Sequence, residues 1–437
     1  MKQPGSISDV SAFHLCTGCG VCAYLQPEAI CMVDDPDQGR RPLPILPSAD
    51  TSTSLAACPG IGLAHDAVRR PDEIDELADA WGPVAELWEG HAGDPAIRFA
   101  GSSGGVITAL GVYAVEQGGF EGVLHTVARE DRPWLNRSQL SRTRQDLIAG
   151  AGSRYAPASP CEDLGLIEAA SGSCVFVGKP CDVAAARKAA AVRPALARNL
   201  GLTIGIFCAG TPSTRGTIEM LRRMGVSRLE DVSSVHYRGR GWPGRASAEW
   251  RSEDKDEPVS ATMSYEESWG EVLQQYRQWR CHLCLDHTGE FADIAVGDPW
   301  YRPVREGESG RSLVVVRSER GRAFLESALG SGVVRLLRVD PDVLPASQPN
   351  LLRNRGAVWG RIATLRTLGL AAPTYRNLPS FRFWLRLTLR EKVRSILGTV
   401  KRIHRRRLYY RGAVHPCPSW MSASCDPLRS EEGGEAG

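Results

Sequence analysis

Short apolar runs alternate with amphipathic stretches through the middle of the chain, from about residue 81 to residue 337. Apolar runs of about four to eight residues are typical of buried strands, whereas apolar residues three or four positions apart indicate helices. The strand-like segments are GFEGVLHTVARE, SCVFVG, LGLTIGIFC, FADIAVGD and RSLVVVRS, and the helix-like segments are SSGGVITALGVYAVEQGG, DVAAARKAAAV and STRGTIEMLRRMG. This alternation predicts an α/β domain with a mostly parallel sheet.

The pattern changes on both sides of that domain. Residues 1–75 are rich in Cys, Pro and Gly and have few long apolar runs, so a metal or covalent links must help to organise them. Residues 338–412 are less regular and end in a basic stretch, and residues 413–437 have the Pro-, Ser- and Gly-rich composition of a disordered tail. With the α/β domain over residues 80–337, the chain is predicted to have four parts and to be α+β overall.

The cysteine content changes the functional picture. No apolar run approaches the roughly eighteen residues of a membrane span, and the N-terminal sequence MKQPGSISDV has no apolar signal core. We therefore expect a cytoplasmic protein, in which thiols stay reduced. Thirteen cysteines in 437 residues of such a chain favour metal ligation or catalysis over disulfides.

The first group of cysteines is CTGCGVC, residues 16–22, in which the cysteines are three positions apart. Such a run can bind three corners of a 4Fe–4S cluster, and a bacterial ferredoxin carries a fourth cysteine just before a proline. Here that position is Gln26, followed by Pro27. Another Cys-Pro pair begins at Cys58, which supplies the missing ligand in our prediction. Residues 1–75 are thus predicted to be a ferredoxin-like iron–sulfur segment.

The predicted ligands of this first site are Cys16, Cys19, Cys22 and Cys58. Spacing alone leaves two alternatives open. Cys31 competes for the fourth place, although the role of a small buried residue explains it as well. A zinc ion bound by four thiolates is the other alternative, but zinc sites more often use two separated CxxC pairs.

A second group of cysteines follows from the predicted topology. Cys181 and Cys208 each follow a predicted strand and precede a helix, and the ends of parallel strands gather at one edge of a sheet. Cys281 and Cys284 form a CxxC pair just before the strand-like FADIAVGD. Each cysteine alone would be explained as a structural residue, but together the four predict a second 4Fe–4S site at that edge.

Three segments have the composition of a ligand-binding loop. GSSGGVITAL, from Gly101, is a Gly/Ser loop that enters an apolar helix, which suits a phosphate but is also typical of a plain tight turn. AGSRYAPASP adds Arg154, which can bind a phosphate, and Tyr155, which can cover a ring system. YRGRGWPG places Arg238 and Arg240 among glycines with Trp242 beside them, a combination that suits an anionic or planar ligand but also an exposed hairpin.

Seven motifs in a fixed order carry a family resemblance. They are CTGCGVC, GSSGG, GSRY, GKPCDVAAAR, FCAGTPS, YRGRGWPG, and CHLC followed by ADIAVGD. Over about residues 10–330, the chain resembles the coenzyme F420 hydrogenase/dehydrogenase beta-subunit family. The resemblance implies an iron–sulfur flavoprotein with FAD and one or two 4Fe–4S clusters, and it supports the second cysteine group as a cluster site.

The resemblance also implies that the flavin lies near the GSSGG and GSRY segments. The residues implied in binding it are Ser102, Ser103, Gly104, Gly105, Thr108, Ser153, Arg154, Tyr155 and Lys179. Members of the family pass electrons between FAD and a deazaflavin coenzyme, ferredoxin or a partner subunit. Gln26 stands where many relatives have cysteine, so the first site depends on Cys58.

The function expected from these features is that of an oxidoreductase that relays electrons between a donor and a substrate or partner through FAD and two 4Fe–4S clusters. The donor would be coenzyme F420, ferredoxin or NAD(P)H. One alternative is an electron-transfer subunit without its own substrate, and a weaker one is a non-catalytic zinc-binding protein. His125, His282, His287 and Asp298 are candidate proton donors by location, but a structural role explains each, so no catalytic residue is assigned.

The charge of the chain is concentrated near its C-terminal end. Residues 376–411 contain twelve Lys or Arg and one acid, Glu391, a net charge of +11. Because the whole chain has a net charge of +3, the remaining residues carry −8. The pattern of a basic tail on an acidic body predicts an interaction surface.

Within the basic segment, apolar residues recur every three or four positions, as in one stripe of an amphipathic helix. They are Leu385, Leu389, Val393, Ile396, Val400 and Ile403. The helix either docks on the body with a solvated face, or attracts an acidic protein such as ferredoxin or an anionic membrane at the inner face. No nucleic-acid-binding pattern is present, and deletion of residues 376–411 is expected to leave the cofactor content intact.

Overall fold

The computed structural model describes residues 2–66, 68–252, 255–305, 308–417 and 420. The strands in chain order are β1 (Ile30–Asp35), β2 (Gly39–Pro44), β3 (Gly62–Ala64), β4 (Glu86–Ala92), β5 (Gly122–Ala128), β6 (Asn136–Ser141), β7 (Cys174–Gly178), β8 (Leu200–Ile206), β9 (Val232–His236), β10 (Ala246–Ser252), β11 (Lys255–Met263), β12 (Ile294–Gly297), β13 (Ser312–Val316), β14 (Val334–Arg338) and β15 (Thr374–Arg376). They form one large sheet and three small ones.

The helices surround these sheets. In chain order they are α1 (Ile7–Ala12), α2 (Val21–Leu25), α3 (Ser52–Ala57), α4 (Asp75–Trp81), α5 (Pro95–Ala100), α6 (Val106–Glu116), α7 (Arg144–Ala149), α8 (Leu164–Glu168), α9 (Pro180–Ala190), α10 (Pro194–Asn199), α11 (Thr214–Arg223), α12 (Glu319–Gly330), α13 (Val343–Ser347), α14 (Pro349–Thr367), α15 (Phe381–Leu385) and α16 (Leu389–Arg405). Short turns of 3₁₀ helix cover Pro160–Asp163, Leu229–Asp231, Leu273–Tyr276 and Trp279–Leu283, and a π-helical segment covers Glu266–Val272.

The large sheet has eight strands in the order β14-β4-β13-β12-β8-β7-β5-β6. Its centre is parallel, because β5, β7, β8 and β12 pair side by side in the same direction. Both margins are antiparallel. The five strands predicted from apolar runs all lie in this sheet, and the α/β class is confirmed. β13 returns antiparallel to β12, since the described residues between the two strands contain no crossover helix.

Helices cover both faces of this sheet. Val175 and Val177 of β7 point into a core that includes side chains of α6 and α12. The alternate residues Cys174 and Phe176 point into a second core formed with α8, α9 and α10. Burial on both faces explains why the central strands read as continuous apolar runs rather than as alternating ones.

The N-terminal segment shares an apolar core with the C-terminal helices. Leu15 and Met32 pack there with Val358 and Ile362 of α14 and with Ile403 of α16. In addition, β15 pairs in parallel with β3 of the N-terminal segment. The sequence predicted that a metal or covalent links would organise this segment. The structure shows that it also packs against residues 338–412, which we call the C-terminal extension.

The basic segment of residues 376–411 is part of this shared core. Leu378, Ile403 and Leu408 are buried in the same cluster as Cys16 and Cys58. This packing argues against the expectation that the segment can be deleted without loss of cofactor, because its removal would open the core beside those cysteines. The cofactor content of the truncated protein itself stays a prediction. No helix in the described part of the chain is long and apolar enough to cross a membrane.

The predicted disordered tail begins with residues that lie against β1. The side-chain amide of Gln38 donates to the carbonyl oxygen of Ala413 at 2.7 Å, and the His415 N–H donates to Asp35 Oδ2 at 2.8 Å. Trp420 packs edge-on against Trp134, with ring centroids 5.0 Å apart. Most of the remaining tail lies outside the described residues.

Candidate functional site

The first cysteine set, defined as Cys16, Cys19, Cys22 and Cys58, is buried between the short N-terminal helices. Cys22 lies in α2, and Cys58 follows the last residue of α3. The Gly18 N–H donates to Cys16 Sγ at 3.3 Å, a contact that favours a thiolate. At Gly60 a Cβ would approach the Leu15 carbonyl oxygen to 2.6 Å, so the chain after Cys58 needs glycine to come this close.

The four sulfur atoms of the first set influence one another electrostatically. Burial raises the pKa of Cys22 well above its usual value, and Cys16, Cys19 and Cys58 raise it further. Burial, followed by Cys19 and Cys16, raises the pKa of Cys58 to about 12. Four thiolates at this place would need a compensating positive charge, which a metal cluster bound to them supplies.

Gln26 stands at the position where a ferredoxin has its fourth cysteine, and its side chain forms hydrogen bonds that connect two segments of the first set. Its side-chain oxygen accepts from Ser54 Oγ at 2.7 Å, and its side-chain nitrogen donates to the Asp50 carbonyl at 2.7 Å. These bonds hold α2 against α3 and so bring Cys58 towards the CTGCGVC loop. Cys31 instead lies in β1 in a separate apolar cluster.

The second cysteine set, defined as Cys181, Cys208, Cys281 and Cys284, lies at one edge of the large sheet and is partly exposed. Cys181 is in the first turn of α9 after β7, and Cys208 follows β8, the parallel neighbour of β7. The Gly210 N–H donates to Cys208 Sγ and the Thr211 N–H donates to Cys281 Sγ, both at 3.4 Å. The predicted topology thus brings the two strand ends and the CxxC pair together.

The second set is also coupled electrostatically. Although parts of these residues are exposed, burial of their sulfur atoms raises the pKa of Cys181 and Cys284, and Cys208 contributes to both shifts. Burial and Cys281 raise the pKa of Cys208 to about 12. Within the described part of the chain, no three His, Cys, Asp or Glu side chains are arranged to hold one metal ion. A 4Fe–4S cluster makes a different demand, because each of its cysteines binds a separate iron.

Two buried charged residues, Asp182 and Arg280, lie close enough to both sets to influence their cysteines. A hydrogen bond with Cys161 lowers the pKa of Cys19, and the negative charge of Asp182 opposes that shift. Burial, followed by the same Asp182 charge, raises the pKa of Cys181. The Arg280 guanidinium acts in the opposite direction on Cys16 and Cys284. Since one carboxylate and one guanidinium each reach both sets, the sets are neighbours.

Neither of these charged residues was selected from the sequence, although each is adjacent to a predicted ligand. Asp182 directly follows Cys181, and Arg280 directly precedes Cys281. Arg280 donates to the carbonyl oxygens of Pro59 and Gly60, both at 3.1 Å, and so connects the CxxC pair to the loop after Cys58. That contact spans residues far apart in the chain, which explains why spacing gave no sign of it.

A cavity of about 280 Å³ adjoins the second set at the same edge of the sheet. Of the residues implied in flavin binding, those that line it are Ser102, Ser103, Gly105, Thr108, Ser153, Arg154, Tyr155 and Lys179. Gly104 lies behind this wall, where its N–H donates to Ser312 Oγ at 3.0 Å. Asp182 and Cys208 also line the cavity, so it is continuous with the region between the two cysteine sets.

The Gly/Ser loop forms one end of the cavity. Gly105 has a φ of +72° and precedes α6 without a side-chain cap, which leaves N–H groups of the first turn without a capping side chain. A Cβ at Gly105 would approach the Ile97 carbonyl oxygen to 2.6 Å, and one at Gly104 would approach the Gly90 carbonyl oxygen to the same distance. A helix start formed by small residues at a cavity wall suits an anionic group such as a phosphate.

Most N–H donors of the Arg154 guanidinium are already hydrogen-bonded to other groups of the protein. It donates to the Pro133 carbonyl at 2.5 Å, to the Val235 carbonyl at 3.2 Å and to the side chain of Asn136. Burial lowers its pKa. These bonds fix the loop that carries Tyr155, whose ring lies 4.9 Å from that of Trp269. Arg154 therefore positions the cavity wall and has little donor capacity left for a phosphate.

An aromatic wall faces this loop across the cavity. Asp298 forms an ion pair with Arg238 at 2.6 Å, and the guanidinium carbon lies 4.9 Å from the ring centre of Tyr265 and 5.4 Å from that of Trp300. Trp242 donates to Asp298 Oδ1 at 2.8 Å. Tyr265 and Trp300 were missed from the sequence, although Trp300 lies two residues after Asp298, the last residue of the strand-like FADIAVGD.

Three of the four candidate proton donors are histidines, and all three are buried. Burial lowers the pKa of His125 and of His287 to about 4, and burial together with nearby arginines lowers the pKa of His282 to about 2. His125 contacts Ser141 Oγ at 2.9 Å, and His287 contacts the Cys208 carbonyl at 2.8 Å. The three imidazoles are therefore neutral near pH 7, and those of His125 and His287 take part in structural hydrogen bonds.

The geometry defines a mixed α/β protein in which two neighbouring cysteine sets adjoin a ligand-sized cavity. Two family models match the chain over residues 87–164 and 172–342, together more than half of it. They describe the N-terminal and C-terminal parts of the coenzyme F420 hydrogenase/dehydrogenase beta subunit. The chain belongs to this family. Neither model covers the chain before residue 87 or after residue 342. The first of these parts contains Cys16–Cys58 and the second contains α14–α16.

Individual relatives agree with this assignment. The chain is 25% identical over 291 residues to the coenzyme F420 hydrogenase subunit beta of Methanococcus voltae, covering 65% of this chain and 95% of the relative. It is 26% identical over 251 residues to that of Methanosarcina barkeri, covering 55% and 77%. A chain of the F420-reducing [NiFe] hydrogenase complex from Methanosarcina barkeri has the same fold, with a TM-score of 0.51 and 22% identity over 72% of this chain and 99% of that one.

Proposed function

We propose that this protein is an iron–sulfur flavoprotein oxidoreductase. It would relay electrons between a donor and a substrate or partner through FAD in the cavity and a 4Fe–4S cluster on each cysteine set. The observation that carries the proposal is the contiguity of the three sites. Cys208 lines the cavity, and the charges of Asp182 and Arg280 reach both cysteine sets. Arg280 directly precedes Cys281 and donates to the carbonyl oxygens of Pro59 and Gly60, both at 3.1 Å, so the chain beside the second set contacts the chain beside Cys58.

The cavity residues have distinct roles in this proposal. FAD, when bound, can exchange a hydride on one side and single electrons on the other. The Gly/Ser loop before α6 would bind its phosphates through backbone N–H groups, and Tyr155 would bound the ring system. Lys179 forms an ion pair with Asp182 at 2.6 Å. The carboxylate outweighs the effect of burial and raises the pKa of Lys179, which keeps a positive charge at the cavity wall.

The eight cysteines would hold the clusters as thiolates. Burial makes isolated thiolates unfavourable in both sets, so bound iron would supply the positive charge that they lack. The backbone N–H groups of Gly18, Gly210 and Thr211 already donate to sulfur atoms. Hydrogen bonds to cluster sulfurs are one means by which a protein sets the reduction potential.

The second set is the favoured entry point for a protein donor. Arg277, Arg361, Arg402 and Arg406 all lie close enough to His282 to lower its pKa. None of these arginines forms an ion pair among the described residues, and the buried Nε atoms of Arg277 and Arg361 have no hydrogen-bond partner. A carrier with surface carboxylates, such as ferredoxin, would complement this positive region. Coenzyme F420 and NAD(P)H are the small-molecule donors to be tested beside it.

The second candidate is an electron-transfer subunit that feeds a separate catalytic protein. It is favoured by the relatives, which are named as subunits, and by the similar solved chain, which belongs to a hydrogenase complex. The two candidates predict the same cofactors. They differ in whether the isolated chain completes turnover.

Cofactor content is the first test. Anaerobically purified protein should contain about eight iron atoms, counting four for each cluster, and about one FAD per chain. A colourless protein that contains zinc and no flavin would contradict both redox candidates and favour the zinc-binding alternative. About four irons would mean that only one cysteine set holds a cluster.

Turnover is the second test. The loaded chain is mixed with reduced coenzyme F420, reduced ferredoxin or NAD(P)H, and reduction of its flavin is followed by absorbance with and without an artificial acceptor. Catalytic oxidation of one donor supports an enzyme with its own donor site. Failure with every donor, in protein with full iron and flavin content, would favour the subunit candidate.

A further inference from the structure

The C-terminal helices present a row of large apolar side chains to solvent. Leu389 of α16 is 78% exposed and Leu397 is 62% exposed, and Leu385 at the end of α15 is 52% exposed. Val393 and Ile396 are also exposed. An exposed apolar row of this size on a folded protein marks an interaction surface.

The row is separate from the face with which α16 packs on the protein. Ser395, Thr399 and Ile403 form the packed face and are buried. Small residues there allow close approach to α14, where a Cβ at Gly360 would come to 2.3 Å from Ser395 Oγ. At 3.6 residues per turn, the exposed residues from Leu389 to Leu397 share an arc of about 100° beside this face. The apolar stripe predicted from the sequence therefore faces mainly outwards, and only its C-terminal end is buried.

Basic residues flank the exposed row on the side away from the protein. Arg390, Arg394, Lys401 and Arg405 fall on the next arc of α16 and are exposed. Among the described residues they form no ion pair, in contrast to Arg382 of α15, which pairs with Asp79. The surface thus combines an apolar row with unpaired positive charge, within a segment of net charge +11.

We propose that α15 and α16 bind the surface of an anionic lipid membrane. The helices would lie in the plane of the interface, with Leu385, Leu389 and Leu397 among the acyl chains and the arginines at the headgroups. A membrane accommodates both features at once, because lipid provides a fluid apolar layer directly below a layer of negative charge. This goes beyond the proposed redox function, since it assigns a location at which the relay would work.

Charge argues against a second copy of the chain as the occupant. Two copies joined through this surface would bring two segments of charge +11 together. An acidic protein would pair with the arginines, but its surface would also need an apolar groove that matches Leu385, Leu389 and Leu397. Binding to such a protein without binding to lipid is therefore an outcome that contradicts the proposal.

The test is co-sedimentation of the full-length, cofactor-loaded protein with vesicles. Phosphatidylcholine vesicles are compared with vesicles that also contain phosphatidylglycerol. We expect binding to the anionic vesicles, weaker binding at high salt, and little binding to phosphatidylcholine alone. The triple variant Leu385→Gln, Leu389→Gln, Leu397→Gln should lower the affinity for anionic vesicles by about tenfold or more.

The matched control makes the same change at exposed apolar residues elsewhere. Its substitutions are Leu46→Gln, Leu166→Gln and Leu337→Gln. Both triple variants should keep the iron and flavin content of the parent protein, because the six leucines are exposed. Unchanged vesicle binding by the α15–α16 variant, equal losses in the two variants, or equal binding to neutral and anionic vesicles would each overturn the proposal.

Discussion

The two cysteine sets differ in how the protein surrounds them. The first set is buried in a core that the N-terminal segment shares with α14 and α16. The second set lies at the end of two parallel strands and is partly exposed. The family models cover the second set but leave the first set outside. The difference suggests two roles within the proposed relay: an enclosed site that only neighbouring cofactors reach, and an accessible site near the surface.

The two sets also differ in the charged residues around them. Near the second set, Arg277, Arg361, Arg402 and Arg406 form a positive region without partnered carboxylates in the described part of the chain. Three of these arginines come from the C-terminal extension. The same extension therefore closes the first set and supplies charge beside the second, which would give the two sites opposite relations to solvent.

Removal of one ligand from each set should produce the largest effect. Cys22→Ala should abolish the first cluster and Cys208→Ala the second, so that each variant retains about four irons per chain instead of about eight. Iron and sulfide are measured after anaerobic purification, and electron paramagnetic resonance of the reduced protein identifies the remaining cluster.

Cys174→Ala is the matched control for these variants. Cys174 is buried in β7 and belongs to neither set, and its thiol contacts the Gly172 carbonyl at 3.8 Å. It should retain about eight irons. The assignment of two separate clusters would fail if either ligand variant lost all its iron while remaining folded by circular dichroism.

Exposure to air should then separate the two sites by rate. The Cys22→Ala protein, which keeps only the partly exposed second set, should lose its iron several-fold faster than the Cys208→Ala protein, because solvent and oxidant reach that set more readily. The loss of visible absorbance after mixing with aerated buffer measures the two rates. Equal rates, or faster loss from Cys208→Ala, would contradict the contrast between buried and accessible sites.

The shared core predicts a difference in stability. Ile403 is 0% exposed and packs in the core that contains Cys16 and Cys58, so Ile403→Ala should lower the free energy of unfolding by about 2–5 kcal/mol. Leu389→Ala, on the exposed row of the same helix, should change it by less than about 0.5 kcal/mol. Urea denaturation followed by fluorescence gives both values. A small effect at Ile403 would show that α16 does not support the first set.

The sequence predicted much of this arrangement because its local signals were strong. Five apolar runs located central strands, and the order of strands and helices placed Cys181 and Cys208 at one sheet edge. CTGCGVC and CHLC carry their spacing within a few residues. These features depend on residues that are close together in the sequence and not on how helices and strands pack, so they can be recognised from the sequence alone.

Features that depend on distant contacts were missed. The stripe on α16 was recognised, but its orientation was not, because Gly360 and Ser395 allow a closer helix contact than the leucines would. Arg280 and Asp182 become important only when the N-terminal segment packs on α9. The number of paired and unpaired arginines likewise depends on neighbours from other parts of the chain.

Arg280 allows a smaller and more specific test, because its charge reaches both sets. Arg280→Gln removes a positive charge near Cys16 and Cys284, so reduction, which adds negative charge, should become harder at both sites. We expect both midpoint potentials to fall by tens of millivolts in a redox titration followed by electron paramagnetic resonance. Arg193→Gln, at an exposed ion pair with Glu168, should leave both unchanged. A fall at only one site would mean that Arg280 does not bridge the sets.

The smallest effect is expected at Gln26, and it concerns the first set alone. Gln26→Met keeps the length of the side chain but removes its hydrogen bonds to Ser54 and Asp50, each of which contributes about 1 kcal/mol or less. Because these bonds hold α3 against α2, the helix before Cys58 should open more often, and a chelator should remove iron from the first set modestly faster. Gln139→Met, at a partly buried glutamine of β6 that also hydrogen-bonds a serine, is the control. If the two variants release iron at the same rate as the parent protein, Gln26 does not position Cys58, and the replacement of the ferredoxin cysteine by glutamine has no structural consequence for this site.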